Sequence, residues 1–441
     1  MKVLVLGGGL AGISAALNLS SAFEVEILEK ENRLGGLLKT DNINGFSFDY
    51  GPHLFFHQDP YFIEMFDKAL KSIGYEKKPA KTGQVSYQKL IDFPYALHLN
   101  GLPSDVVSKC VVDFVNAQIG VGSSVDIKTT KNYEDYCRKY FGNGFTDCFM
   151  IPYAKKIWTI HPRELDVDWV GERIVLPNLD EVIMGALTPR KLAGNYIKEF
   201  RYPKKGGTES FVRGLVSMLG ANVHIRPSSE VVRIFLDKKK VELNTGDFLH
   251  YDYIINTLPL PELKNIIFEL PNYVSDAITK LAWFGVLLIN YGGTEIVNNP
   301  YQWIYFDQDD YSCHRIHYPS KLANSMTPSE QYKSIQSESS FSSFRPHLQP
   351  DEYYVERIWK ELGVGGFVSS DKSQFISSRR VKYAYAMMTH DRKTAVRHIH
   401  GYLESFGVVS CGRFGDWDYI WTDKVLLSGK RASTKINNIS V

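Results

Sequence analysis

The 441 residues carry 51 Lys and Arg against 49 Asp and Glu, a net charge of +2, with 44% hydrophobic and 23% charged residues. The length predicts two or three domains around full-sized cores, and the composition excludes a disordered, collagen-like or disulfide-stapled chain. The balanced charge gives no electrostatic footprint for nucleic acid, and no run of about 18 apolar residues suggests a membrane span.

The chain opens on MKVLVLGGGLAGISAALNLSSA, whose composition overlaps that of an export signal. Three consecutive glycines, Gly7, Gly8 and Gly9, split it into halves of different period. Residues 3–6 form a buried-strand run, whereas Ile13, Ala16 and Leu17 recur at helical spacing. We therefore read a strand, a glycine turn and a helix, followed by a second strand over residues 25–28. Residues 60–203 read as mainly helical, including FIEMFDKALKSIG, SKCVVDFVNAQIG and ELDVDWVGERIVL. From about Tyr202 the texture changes to a glycine loop, a helix and short strands reaching YDYIINTLP. Further strands are predicted in WFGVLLINYGG and QWIYFDQ. The Ser-rich stretch 334–343 reads as a loop, 396–410 as helix and strand, and 430–441 as a frayed polar tail. Lys238, Lys239 and Lys240 read as a hairpin turn facing water.

This order predicts two interwoven units. One, over 1–60, 203–270 and 396–441, binds a dinucleotide; the other, over 61–202 and 271–395, is a mixed α/β substrate domain. The five cysteines, Cys110, Cys137, Cys148, Cys313 and Cys411, form no CxxC pair. Free thiols and a cytoplasmic location are expected. His314 and His317 flank Arg315 with no carboxylate at ligand spacing, so no metal site is expected. No G-x-S-x-G elbow surrounds Ser228 or Ser229, which leaves serine hydrolysis without support.

Gly7, Gly9 and Gly12 form GxGxxG directly after a strand and at the head of a helix. The first allows the tight turn, the second lets backbone approach a pyrophosphate, and the third lets helix and strand pack closely. Glu29 ends the second strand, where a carboxylate can accept from ribose hydroxyls. NAD and FAD share this fingerprint. Arg33, Gly35 and Gly36 follow the acid and resemble the RxGG extension of FAD proteins of the glutathione-reductase and amine-oxidase class. That resemblance implies FAD, with Val231 on the adenine side and Thr257 marking the chain's return to the cofactor.

Five further segments resemble the UDP-galactopyranose mutases, especially the eukaryotic type, and the wider protoporphyrinogen-oxidase-like flavoproteins. Tyr50-Gly51-Pro52-His53 is similar to the mutase loop that holds a histidine against the flavin. Trp158 and Trp169-Val170-Gly171-Glu172-Arg173 resemble the W…WLGER segment with its 15-residue spacing. Trp303-Ile304-Tyr305-Phe306 with Arg315 resembles the YF…R segment, and Tyr385 stands at the family's YP turn. Gly412-Arg413-Phe414-Gly415-Asp416-Trp417-Asp418-Tyr419 is similar to GRFGxWxY, with Gly412 and Arg413 on the cofactor.

The resemblance implies an α/β fold in which a Rossmann-type FAD domain is interleaved with the substrate domain. It implies a pyranose–furanose mutase of cell-surface glycan biosynthesis, acting on a nucleotide-diphosphate sugar through a reduced-flavin N5–sugar adduct. His53 would tune the flavin. Arg173 and Arg315 would clamp the diphosphate bidentately, with Trp158, Tyr305, Tyr385, Tyr419, Phe93 and Asp423 around the substrate. An electron donor such as NAD(P)H or a reductase, and a homodimer, are implied partners. Three positions depart from the family. Asp423 replaces an Asn, Phe93 and Ala96 replace the Tyr and Gln of the nucleobase segment, and Ala386 replaces the proline of the YP turn. A redox flavoenzyme of the amine-oxidase type and a non-catalytic sugar-nucleotide binder are the alternative readings.

Overall fold

The computed structural model describes residues 1–121, 129–189, 197–369 and 374–439. Its first layer is a five-stranded parallel sheet. The strands run Val408–Ser410, Tyr253–Asn256, Lys2–Leu6, Glu24–Leu28 and Val223–Arg226 in spatial order. Val3, Leu4, Val5 and Leu6 are all buried, so the strand reads as a continuous apolar run, as strands covered on both faces do. The sheet draws on three separate stretches of chain, and on one face helix Leu10–Asn18 packs against helix Thr422–Ile439. A three-stranded antiparallel sheet, Val231–Phe235, Lys240–Leu243 and Phe248–His250, stands beside it. The exposed Lys238 and Lys239 turn its first hairpin, with Lys239 at φ 44°.

The second large sheet has seven strands in the order Phe375–Ala386, Trp283–Gly293, Lys333–Phe341, Arg315–His317, Trp303–Phe306, Thr82–Ser86 and Lys89–Asp92. Its pairs are antiparallel except Trp303–Phe306 with Thr82–Ser86, which is parallel. Helices Ser104–Val121, Tyr133–Phe145 and Ile151–Trp158 follow its strand Lys89–Asp92 along the chain.

Four sequence expectations are corrected. The stretch 334–343 is largely a strand, Lys333–Phe341, hydrogen-bonded on both sides within the seven-stranded sheet. The stretch lacks apolar alternation, but some of its short serine hydroxyls find partners inside: Ser339 Oγ donates to the Ser312 carbonyl at 2.8 Å. Gln336 Nε2 donates to the Asp49 carbonyl at 2.8 Å. The polar tail is helical through Ile439, and residues 440–441 lie outside the described residues. Its buried stripe, Gly429, Ala432, Ser433 and Ile436, is made of mostly small residues that a hydrophobicity count overlooks. A methyl group on Gly429 would overlap the Ala11 carbonyl, so the two helices pack at backbone distance. Residues 164–176 form no α-helix; Arg173 ends the short 3-10 turn Gly171–Arg173. Finally, the described residues of 60–203, though mainly helical as expected, also contain four strands.

Candidate functional site

A cavity of about 630 Å³ runs along the carboxyl edge of the parallel sheet. Gly7, Gly9, Glu29, Gly36, Val231, Thr257, Gly412 and Arg413 line it, as do Lys39 and His53. The glycines are there for space. Gly7 has φ 102°, and a methyl group on Gly12 would overlap the Gly7 carbonyl oxygen. Gly35 and Gly36 dock on this turn: Gly35 N–H donates to the Gly8 carbonyl at 2.8 Å. The Glu29 carboxylate accepts from Gly8 N–H at 2.8 Å and from Glu31 N–H at 2.9 Å, which fixes it at the cavity wall. Such a cradle presents a helix N-terminus to phosphates and a carboxylate to a ribose. Its residues fit FAD, with Glu29 and Val231 at one end and His53 at the other.

Arg33 is not among the lining residues. Its guanidinium binds Asp41 at 2.5 Å, Glu209 at 3.0 Å and the Thr40 carbonyl at 3.1 Å, so it braces the loop beneath the cradle. Sequence reasoning missed Lys39, which is buried at the wall; burial lowers its pKa, against the pull of Glu29 and Glu31. A lysine three residues past the Gly35-Gly36 pair is the one signal that could have marked it.

The cavity adjoins a tighter chamber of about 130 Å³. His53, His57, Trp303, Tyr305, Arg315, Glu338, Tyr385, Arg413, Tyr419 and Trp421 line it. His53, Tyr50 and Arg413 line both spaces. The His53 loop is placed by Gly51, whose N–H donates to Gln336 Oε1 at 3.1 Å. Burial, with Arg413 and Arg315 nearby, lowers His53 to about 3, so its imidazole is neutral.

The charges in this chamber come with partners. Arg315 binds Glu338 bidentately, Nε to Oε1 at 2.6 Å and Nη2 to Oε2 at 2.7 Å. Burial opposes its charge, but Glu338 more than offsets it and the pKa rises. Glu338, on the strand expected to be a loop, is a second functional candidate the sequence reading missed. Arg413 donates to the Ile420 carbonyl at 2.7 Å and 3.1 Å, and burial lowers its pKa. Arg173 lies over the Tyr419 ring at 3.7 Å and the Trp421 ring at 3.9 Å, and it donates to the Tyr419 carbonyl. It therefore stands at the chamber's edge on two aromatic faces.

Tyr305, Tyr385 and Tyr419 line the chamber, whereas Trp158, Phe93 and Asp423 stand behind it. Trp158 is 4% exposed and backs Tyr419, its ring edge-on at 5.1 Å. Phe93 supports Tyr305 at 5.0 Å between ring centres. Asp423 is buried at the start of helix Thr422–Ile439, with Oδ1 3.2 Å from His57 Nδ1. None of these three, expected around the substrate, lines the chamber: Trp158 and Asp423 are buried and Phe93 half-buried, each against a residue that does.

Comparison with known proteins adds three findings. The profile of the flavin-containing amine oxidoreductases matches residues 10–291. A 4,4'-diaponeurosporene oxygenase of Staphylococcus aureus is 29% identical over 302 residues, covering 60% of this chain and 57% of the relative. The chain thus matches only a little over half the length of that relative. Among solved structures, a reduced UDP-galactopyranose mutase has a TM-score of 0.88 at 22% identity, over 99% of this chain and 94% of that one. A CLA-producing fatty acid isomerase from P. acnes has a TM-score of 0.67 at 13% identity, over 98% of each chain. These two likenesses establish the shared fold.

Proposed function

The chain belongs to the flavin-containing amine oxidoreductases and is an FAD-binding flavoenzyme, and from that premise we propose that it rearranges a nucleotide-diphosphate sugar between pyranose and furanose forms. The observation that carries this reading is the gathering of Arg315, Arg413 and three tyrosines at one chamber that opens onto the cofactor cavity, with Arg173 stacked on Tyr419 and Trp421 of its wall. A diphosphate carries about two negative charges and is recognised by guanidinium forks and hydroxyls. Reduced FAD, when bound along the glycine cradle, supplies a nucleophile for the anomeric carbon.

The chain's own residues do the rest. Arg173 meets the diphosphate and stabilises the charge that develops as it leaves. Arg315, which lines the chamber, has Nε and Nη2 fixed by Glu338, which leaves Nη1 outside that pair as its donor for the substrate. The hydroxyls of Tyr305, Tyr385 and Tyr419 complete the shell, and their aromatic supports limit how far they swing. Neutral His53 stands where the two spaces meet and leaves the positive charge of the site to the arginines. An electron donor such as NAD(P)H or a reductase keeps the cofactor reduced.

The name of the Staphylococcus relatives supports a second reading, net oxidation of the substrate. Anaerobic incubation of the protein with UDP-, dTDP- and GDP-sugars, its flavin oxidised or dithionite-reduced, separates the two. An isomer of equal mass formed only by the reduced protein is the expected result. A product differing by two hydrogens or an added oxygen, or no conversion of any sugar, would overturn the proposal.

A further inference from the structure

His57 is the chamber residue to which the proposed clamp gives no role. Its imidazole is 5% exposed and held among the rings of Phe56, Phe62 and Trp421, at 4.1, 5.6 and 5.6 Å between centres. One ring nitrogen, Nδ1, lies 3.2 Å from Asp423 Oδ1, a contact outside hydrogen-bond geometry, and that carboxylate oxygen is itself buried without a hydrogen-bond partner. The other, Nε2, is buried without a hydrogen-bond partner on a residue that lines the chamber. A carboxylate this close to one imidazole nitrogen favours the proton on that nitrogen and leaves the lone pair on the other. An unpartnered buried acceptor is costly, and a substrate hydroxyl would satisfy it.

Ring exchange in a sugar requires such a group. The bond from the anomeric carbon to the old ring oxygen breaks and one to a different hydroxyl forms. That hydroxyl gives up its proton and the released oxygen takes one, so a single proton is relocated and nothing is oxidised. We propose that His57 Nε2 accepts the proton of the attacking hydroxyl and returns it to the released ring oxygen, with Asp423 as the positioning residue for the imidazole. The inference rests on the mutase reading above.

The surrounding charges set how basic the ring is. Burial, with Lys424, Arg173 and Arg201 nearby, lowers His57 to about 3, so without substrate the ring is neutral and a weak base. Asp423 and, beyond it, Asp59 are the anions on the opposite side. Burial raises the Asp423 pKa, while Lys424 lowers it. A diphosphate docked on Arg173 cancels part of the cationic field and lifts the basicity of Nε2 when substrate is present.

The test separates proton relocation from diphosphate departure. UDP-galactopyranose with 18O in the bridge between sugar and phosphorus is given to the reduced holoenzyme. Scrambling of the label, read by 31P NMR, reports departure and return of the diphosphate, which needs no proton from a sugar hydroxyl. Chromatography reports ring interconversion. His57→Asn is expected to slow interconversion ~100-fold and to change scrambling less than ~3-fold. Asp423→Asn is expected to give the same split at about tenfold. In the wild type, interconversion is expected to fall toward acid pH as Nε2 takes a proton, while scrambling persists. That profile decides the matter if the variants fail to fold. Equal losses of both readouts in the variants, or no acid loss in the wild type, would overturn the dyad alone. A wild type that neither scrambles nor converts would overturn the mutase reading and the dyad with it.

Discussion

The two halves of this site bury polarity in different ways. Along the cofactor cradle much of the polarity belongs to the backbone: the Gly7–Gly12 turn, the helix it opens, and the Gly35 N–H on the Gly8 carbonyl. Around the smaller chamber the polarity belongs to side chains, and the arginines are answered by neighbours, as Arg315 is by Glu338 and Arg173 by two rings and a carbonyl. The difference teaches where each half is vulnerable. The cradle should fail to an added methyl group, and the chamber to an unbalanced charge.

The largest expected effect is on the cradle. Gly12→Val places a branched side chain against the Gly7 carbonyl, with Val5 also close by. The purified protein is expected to lack flavin absorbance, whereas Arg315→Ala and Arg173→Ala should retain it. A yellow Gly12→Val protein with full flavin content would break the comparison. Next is Glu338→Gln, which leaves a buried guanidinium facing a neutral amide. Removing one partner of a buried pair typically costs ~3 kcal/mol, so thermal unfolding should show a clear loss of stability. An unchanged melting temperature would mean that the chamber charges do not depend on one another.

Arg173→Ala comes third. Arg173 is half-buried and rests on Tyr419 and Trp421, so its removal changes the chamber edge more than the core. Charge-assisted hydrogen bonds are worth about 1.5–3 kcal/mol, which predicts a tenfold to ~100-fold weaker affinity for the nucleotide sugar. Titration of the flavin fluorescence measures it, and unaltered binding would remove Arg173 from the clamp.

The same contrast explains what could be read from the sequence. The cradle is written in consecutive residues: strand, GxGxxG, helix, strand, Glu29, then Gly35 and Gly36, each with a local geometric reason. The family motifs also pointed to His53, Tyr305, Arg315, Tyr385 and Tyr419, which the fold gathers at one chamber. Glu338 stayed hidden because its strand, KSIQSESSF, carries no alternation; burial there is supported by serine hydroxyls and an arginine from the neighbouring strand. The final helix stayed hidden because Gly429, Ala432 and Ser433 serve close approach rather than hydrophobicity. Asp423 stood out in sequence as a carboxylate in a diphosphate site, but the fold turns it toward His57. Side-chain direction, not residue identity, separated those cases.

The smallest effect tests how far the chamber half tolerates uncompensated charge. Asp307 follows strand Trp303–Phe306, is 1% exposed, and has one oxygen on Ser86 Oγ at 2.8 Å and the other without a partner. Burial pushes its carboxyl up to about 6, from an ordinary 3.8. The folded state therefore holds this proton at pH values where the unfolded chain has released it. Folding is favoured by that proton below about pH 4, and stability is lost as pH rises from about 4 to about 6. Asp307→Asn keeps an acceptor for Ser86 and removes the titration. It should be more stable than the wild type by about 2 kcal/mol at neutral pH, with the difference shrinking toward pH 4. Melting temperatures across that range measure it. A variant that is less stable at pH 7 would show that the Asp307 carboxylate has a compensating partner of its own. The chamber half would then bury its charges as completely balanced sets, leaving the cradle's backbone polarity as a difference of chemistry and not of tolerance.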